Sequence, residues 1–144
     1  MSDSPKIQIL MLMLYITNRI SAHIRDFVGH TGRVKRVLFL DKESTFVSGF
    51  DDGMILLWSR AVEEPTRNLR EHTGSITRIT SHDNLLFSGS LDNTIRIWNI
   101  ATGDCIRILE HSAHVSGFSF SPNFSLFRVA CGTREVRIWN WREG

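Results

Sequence analysis

Three tryptophans recur along this chain at a nearly constant spacing. Trp58, Trp98 and Trp139 lie 40 and 41 residues apart, and the segments that lead to them also resemble one another. The first segment reads TFVSGFDDGMILLWSR, the second LLFSGSLDNTIRIWNI and the third LFRVACGTREVRIWNW. A fixed period of about 40 residues predicts an array of similar supersecondary units that stack on one another.

Other polar residues recur with the tryptophans. Each repeat begins with a histidine that precedes a β-branched residue by four positions: His30 and Val34, His72 and Ile76, His111 and Val115. The first two repeats also share a serine and an aspartate at matching offsets: Ser48 and Asp52, then Ser88 and Asp92. In the third repeat Thr133 stands where the aspartate is expected.

The segments between these markers are typical of β-strands. VKRVLFL, TFVSGF and MILLWS are short runs rich in β-branched and aromatic residues. Asp52-Gly53 and Asp92-Asn93 are signals for tight turns between strands. No stretch has helical periodicity with caps, so the sequence predicts an all-β fold. For the second repeat we expect strands at about 76–81, 85–90, 94–100 and 105–110.

Taken together, these features resemble the WD-repeat family, and SGSLDNTIRIWN is close to the family pattern. The resemblance implies β-propeller blades, each a four-stranded antiparallel sheet. The propeller segment covers residues 22–144 and contains about three repeats, at 29–70, 71–110 and 111–141. The sequence departs from the pattern at two kinds of position. Glutamate replaces the glycine before two of the histidines, and no aspartate follows any tryptophan, where the residues are Ser59, Asn99 and Asn140.

About three blades predict an incomplete ring, because closed propellers have about four to eight. The third repeat has room for three strands, at about 115–121, 126–131 and 135–141, and residues 22–28 are a candidate for its outer strand. Three alternatives follow. The chain is a fragment of a longer propeller, which is the alternative that we favour. Otherwise it is a half-propeller that pairs with a second copy of itself, or a partial propeller that another subunit completes. Each alternative predicts two exposed blade faces and a tendency to associate.

The N-terminal segment 1–21 contains an apolar run from Lys6 to Ile16. This run is too short to span a bilayer, which takes about 20 apolar residues. It could be a further inner strand or the apolar core of a signal peptide, and the sequence favours the strand.

The recurring polar residues invite comparison with a Ser-His-Asp triad. A triad needs one exposed nucleophile beside an oxyanion hole, whereas these residues recur in successive repeats, so repetition favours a structural role. The family resemblance implies a hydrogen-bonded network within each blade, and the sequence predicts no catalytic residue, no metal site and no cofactor. The network residues are His30, Ser48, Asp52, Trp58, His72, Ser88, Asp92, Trp98, His111 and Trp139.

Charge and cysteine content indicate the compartment and the partners only coarsely. The formal net charge is +2, which does not by itself point to nucleic acid or to a membrane surface. Cys105 and Cys131 fall in apolar strand-like runs without a disulfide-framework spacing, so we expect buried free thiols and a cytoplasmic location, with the nucleus as an alternative.

The resemblance further implies a non-enzymatic scaffold or adaptor that binds partner peptides or domains through the propeller loops, as part of a multi-subunit complex and without a small-molecule substrate. An acidic or phosphorylated partner segment would suit Arg33 and Lys35. The alternatives are ordinary solvated loop residues, or a basic surface that binds nucleic acid or anionic lipid. The positions carried over as candidate partner-binding residues are Arg33, Lys35, Asp51, Ser75, Thr77, Leu91, His114 and Ser116.

Overall fold

The computed structural model describes residues 26–29, 31–40 and 44–143, and these contain β-strands and no helix. Within this part of the chain, no helix could therefore span a membrane. The strands are β1 (Val34–Phe39), β2 (Thr45–Phe50), β3 (Ile55–Ser59), β4 (Arg67–Leu69), β5 (Ile76–His82), β6 (Leu85–Ser90), β7 (Thr94–Asn99), β8 (Cys105–Glu110), β9 (Val115–Phe120), β10 (Leu126–Cys131) and β11 (Val136–Asn140).

The strands form three antiparallel sheets, in which each strand pairs with its neighbours in sequence. The sheet orders are β1-β2-β3-β4, β5-β6-β7-β8 and β9-β10-β11. The all-β prediction and the blade architecture are confirmed, and the four strands predicted for the second repeat agree with the observed bounds to within one residue. The three sheets form an open arrangement rather than a closed ring.

Glycines allow consecutive sheets to pack closely. A Cβ atom added at Gly49 on β2 would come within 2.6 Å of Ile79 Cδ1 and 2.7 Å of Ile76 Cγ2, both on β5. At Gly89 on β6, an added Cβ would lie 2.9 Å from Val115 Cγ1 on β9. Each contact joins the second strand of one sheet to the first strand of the next, which is the innermost strand of its blade. The apolar core therefore lies between the sheets.

The predicted tight turns also bring the sheets together at one edge. Gly53 and Asn93 have φ angles of +86° and +71°, which a two-residue turn requires and which glycine and asparagine adopt most readily. A Cβ at Gly53 would meet the carbonyl oxygens of His72 and Gly74. The β2–β3 turn of the first sheet therefore lies against the loop that leads into the second.

The third sheet has three strands among the described residues. Residues 22–28 were the candidate for its outer strand, but residues 26–28 form no strand, and Phe27 packs in the first sheet instead. Its ring lies edge-on to Phe46 and Trp58, with centroids 5.0 and 5.5 Å apart. The rest of that segment, and the run from Lys6 to Ile16, lie outside the described residues.

The two ends of the sheet stack differ in exposure, which corrects the prediction of two exposed faces. In the first sheet Phe46, Leu56 and Trp58 are each only 1% exposed. On β11 of the third sheet, by contrast, Val136 and Ile138 are 67% and 65% exposed. The prediction assumed that both terminal sheets lack cover, but Phe27 packs on the first of them.

Candidate blade network and interaction surface

The second blade contains an unbroken chain of hydrogen bonds from its tryptophan to its turn aspartate. The Trp98 indole N–H donates to Ser88 Oγ at 2.8 Å, and Ser88 Oγ lies 2.7 Å from His72 Nε2. His72 Nδ1 lies 2.7 Å from Asp92 Oδ2, and the Thr94 hydroxyl donates to Asp92 Oδ1 at 2.6 Å. The chain links β7, β6, the loop before β5 and the β6–β7 turn.

Matching donors with acceptors assigns the protons in this chain. Ser88 Oγ accepts from Trp98, so its own proton can be donated to His72 Nε2. The single ring proton of His72 is then on Nδ1, from which it is donated to Asp92. Burial lowers the pKa of His72 below 6.5, and the hydrogen bond with Asp92 offsets only part of this effect. Burial would raise the pKa of Asp92, but hydrogen bonds from Thr94 and His72 outweigh it and lower the pKa below 3.8. The pair is therefore a neutral imidazole and a carboxylate.

This proton assignment predicts that mild acid destabilises the fold. Burial lowers the pKa of both His72 and His111 below 6.5, so the unfolded chain binds more protons than the folded chain as the pH falls through that value. We expect the urea midpoint to decrease from pH 7.5 to pH 5.5, and the decrease to be smaller in His72→Gln. A midpoint that is constant or rises over this range would contradict the assignment.

In the first blade, the described residues form only part of such a network. The Trp58 indole N–H donates to Ser48 Oγ at 2.7 Å, as in the second blade. The side chain of Asp52 is exposed, and its Oδ1 accepts the backbone N–H of Met54 at 2.9 Å, which fixes the turn. His30 lies outside the described residues, so its predicted place in the network stays a prediction.

The third blade has a shortened network because two of the recurring side chains are replaced. Val129 occupies the position on β10 that corresponds to Ser88, and Thr133 replaces the turn aspartate. The Trp139 indole N–H consequently donates directly to His111 Nε2 at 3.0 Å, and His111 Nδ1 lies 3.1 Å from the Leu109 carbonyl. Comparing the three repeats position by position could have revealed the valine. The predicted network does not include this replacement.

The loops that carry candidate partner-binding residues pair with one another at one end of the strands in each sheet. The backbone N–H of Asp51 donates to the Arg33 carbonyl at 3.1 Å, and that of Leu91 donates to the Ser75 carbonyl at 3.0 Å. In the third blade the equivalent bond joins Gly132 to His114 at 2.9 Å. Gly132 thus completes the set, and its lack of a side chain explains why sequence reasoning did not identify it.

Three of the candidates occupy β-bulges. The pairing of β1 with β2 shifts register between Val34 and Arg36, which leaves Lys35 as the extra residue. The same irregularity occurs at Thr77 on β5 and at Ser116 on β9. A bulge re-aims the side chain of its extra residue and is common next to binding sites. This irregularity recurs in every blade, at the same end of the innermost strand.

The candidates differ in exposure and in local charge. Six are exposed, and Ser75 and Thr77 are half-buried. Asp51 Oδ1 accepts the Arg33 backbone N–H at 2.9 Å, so a carboxylate lies beside this arginine. The Thr77 carbonyl accepts from Arg36 Nε at 2.6 Å, which ties the innermost strands of the first two blades together. The exposed candidates are Arg33, Lys35, Asp51, Leu91, His114 and Ser116.

Two contacts of the second blade were not predicted from the sequence. Thr94 supports the turn aspartate, and its counterparts in the other repeats, Met54 and Glu135, are not hydroxyl residues. Glu71, which replaces the usual glycine before the histidine, forms an ion pair with Arg96 on β7. In the part of the chain that the structure describes, no three His, Cys, Asp or Glu side chains are grouped so that they could hold a metal ion.

The repeated sheets, the Trp-Ser-His-Asp chain and the shared edge loops define a β-propeller repeat protein. The chain belongs to the family described as "WD domain, G-beta repeat", which matches residues 21–59, 63–99 and 103–140.

Relatives and a solved structure resemble the chain over most of its length. Protein HIR1 of Eremothecium gossypii is 29% identical over 133 residues, which cover 80% of this chain and 16% of that protein. Eukaryotic translation initiation factor 3 subunit I of Aspergillus oryzae is 30% identical over 99 residues, 67% of this chain and 30% of that protein. The chain therefore spans less than a third of either relative. The crystal structure of the computationally designed Ika4 protein matches with a TM-score of 0.70 and 28% identity, over 81% of this chain and 71% of that one.

Proposed function

We propose that this chain is a non-catalytic scaffold that binds partner proteins through the edge loops of its blades. These are the loops at one end of the strands, which carry Arg33, Asp51, Leu91 and His114. The observation that carries the proposal is the repeated loop pairing, which holds exposed side chains at the same edge of three adjacent blades. Membership of the WD-repeat family and the similarity to a protein named as a subunit of a translation initiation factor support a role within a multi-subunit complex.

The edge loops offer chemically different contacts from blade to blade. Arg33 and Lys35 in the first blade are exposed cations, while Leu91 in the second is an aliphatic side chain that is half exposed. A partner segment with a carboxylate or phosphate near the first blade and an apolar residue near the second fits this arrangement.

Charge reversal tests the edge-loop surface. In Arg33→Glu/Lys35→Glu, we expect partners captured from cell lysate by the wild-type chain to be reduced at least about tenfold, because like charges then face the acidic segment. The matched control is Arg60→Glu/Arg142→Glu, which makes the same change in net charge at exposed residues that follow β3 and β11. If the loop variant captures every partner as wild type does, the proposed surface is wrong.

We extend the proposal to a cytoplasmic location, with the nucleus as the alternative. Cys105 and Cys131 are free thiols, which is consistent with a reducing compartment. Fluorescence microscopy of the tagged full-length protein tests this point, and accumulation in the secretory pathway would contradict it.

An anionic ligand is the second candidate, and a basic cavity supports it. A cavity of about 330 Å³ is lined by Arg36, Arg78 and Arg128, together with Ser116 and Ser119. Arg36 also donates to the carbonyls of Thr77 and Lys35, and arginines outside the cavity have partners within the protein as well. Arg96 pairs with Glu71, and Arg107 donates to the Trp141 carbonyl. Binding of a nucleic acid or of anionic vesicles that weakens steeply with salt would favour this second candidate over a protein partner.

A further inference from the structure

A partly enclosed cavity lies between the first and second sheets, at the end of the strands opposite to the edge loops. Its volume is about 220 Å³, and most of its wall is apolar. The wall comes from the first sheet on one side and from the residues that follow β7 on the other. Because both neighbouring sheets are present, the cavity does not result from an uncovered blade face. The residues that line it include Leu40, Thr45, Leu57, Arg67, Ile100 and Ala101.

Aromatic side chains fill the equivalent groove between the second and third sheets. The Trp141 ring packs edge-on against Phe87 of β6, with centroids 5.3 Å apart, and the Phe120 ring of β9 lies 4.7 Å from that of Phe87. The Trp141 indole N–H donates to the Phe124 carbonyl at 2.8 Å. Trp141 packs against the apolar cluster that joins the two sheets, so an indole closes this groove.

Smaller residues occupy the corresponding positions of the first groove. The strand registers of the three sheets place each of these residues opposite the same partners as a larger residue in the second groove. The cavity is therefore the space that aromatic side chains fill one blade further along the chain. The corresponding pairs, with the residue of the first groove given first, are Thr45 and Leu85, Val47 and Phe87, Ser81 and Phe120, and Ile100 and Trp141.

We propose that this cavity receives an aromatic side chain, of the size of an indole, from a partner protein. The inference rests on the proposed function of partner binding and adds a second contact at the opposite end of the blades. A dry apolar cavity of about 150 Å³ is large enough to bind benzene. The 220 Å³ between the first and second sheets is therefore sufficient for a larger ring.

An arginine in the cavity wall favours an aromatic occupant over an aliphatic one. Arg67 Nη1 donates to the Thr102 carbonyl at 2.9 Å and Nη2 donates to the Ala101 carbonyl, so the guanidinium is held in the wall. A cation in a fixed position attracts the face of an aromatic ring. The counterpart of Arg67 in the second sheet is Arg107, which donates to the Trp141 carbonyl at 2.6 Å. The groove that already contains an indole thus has an arginine at the same position.

Binding of a capped amino acid to the folded chain tests the cavity. The probe is N-acetyl-tryptophanamide, and N-acetyl-leucinamide is its aliphatic control. With the tryptophan probe we expect saturable shifts of the amide NMR signals of Thr45, Leu57 and Ile100, which line the cavity. The leucine probe should bind at least about fivefold more weakly. Equal affinity for the two probes, or shifts that do not saturate, would overturn the proposal.

Variants that fill the cavity test whether the probe enters it. Ile100→Trp introduces the residue found at Trp141, and Thr45→Leu introduces the one found at Leu85. Both should weaken binding of the tryptophan probe, the first at least about tenfold, and both should raise the midpoint of thermal unfolding because protein atoms fill the space. Ile108→Trp is the matched control, at a residue of β8 that is 46% exposed and does not line the cavity. Unchanged probe binding, or a lower unfolding midpoint, in both filling variants would contradict the proposal.

A comparison of captured proteins distinguishes a partner from a free ligand. Some proteins captured from cell lysate by wild type and by Ile108→Trp should be lost in Ile100→Trp, and the tryptophan probe should displace the same proteins. An identical set in all three chains would overturn the assignment to a partner protein. An aromatic small molecule released when the purified chain is denatured would overturn it as well.

The edge-loop variant separates this inference from the proposed function. Binding of the tryptophan probe should be unchanged in Arg33→Glu/Lys35→Glu, since these residues lie at the other end of the strands. If the probe fails to bind while that variant still loses its partners, only the cavity proposal is wrong. The reverse result faults the edge-loop surface.

Discussion

Replacing Asp92 by alanine is expected to lower the free energy of unfolding by about 2–4 kcal/mol. The carboxylate accepts hydrogen bonds from the His72 ring, the Thr94 hydroxyl and the backbone N–H of Thr73, and its side chain is only 7% exposed. Without it, the buried His72 retains an Nδ1–H that has only the Thr94 hydroxyl, 3.3 Å away, in place of the carboxylate. A poorly satisfied buried donor costs more than the bond itself contributes. Urea denaturation followed by tryptophan fluorescence measures the change.

Asp52→Ala in the first blade is the matched control. The Asp52 side chain is exposed and fixes the turn through the Met54 N–H, so we expect a loss of about 1 kcal/mol. Equal losses for the two variants would show that the turn, rather than the hydrogen-bonded chain, is the source of stability. Such a result would contradict the role that we assign to the second-blade network.

A second large effect is expected from aspartate at equivalent positions of two blades. Ile95→Asp should destabilise the chain by about 4 kcal/mol or more, because it places a charge without a partner between the second and third sheets. Val136→Asp changes the corresponding position on β11, which is 67% exposed, and should alter stability by less than about 0.5 kcal/mol. Thermal unfolding of both variants, compared with wild type, measures the difference.

This comparison also tests whether the open face exists in solution. If Val136→Asp destabilises the chain as strongly as Ile95→Asp, the face of the third blade is covered in solution. A small effect for Val136→Asp would show that this face is open to solvent in the folded chain.

Much of the fold could be predicted from local sequence. The alternation of β-branched residues with Asp-Gly and Asp-Asn turns specifies strands and hairpins through contacts between residues close in the chain. The second-repeat strands were therefore predicted to within one residue. The family resemblance also implied a hydrogen bond between Trp98 and Ser88, which the structure contains.

The completeness of each network was less predictable, because it depends on side chains from several strands. The sequence places His111 and Trp139 in the same pattern as their second-blade counterparts. Aligning the repeats can identify Val129 in place of the bridging serine, but only the folded structure shows that the tryptophan then contacts the histidine directly.

The sequence by itself determined the repeat, the all-β architecture and the family, since these depend on local periodicity and on residues at fixed offsets. Only the tertiary structure decided that the Trp-Ser-His-Asp chain of the second blade is continuous and which face of the described sheets is open. Exposure is a property of packing between distant segments: the same apolar pattern is buried at Ile95 and exposed at Val136, and the strands themselves do not encode what lies against them.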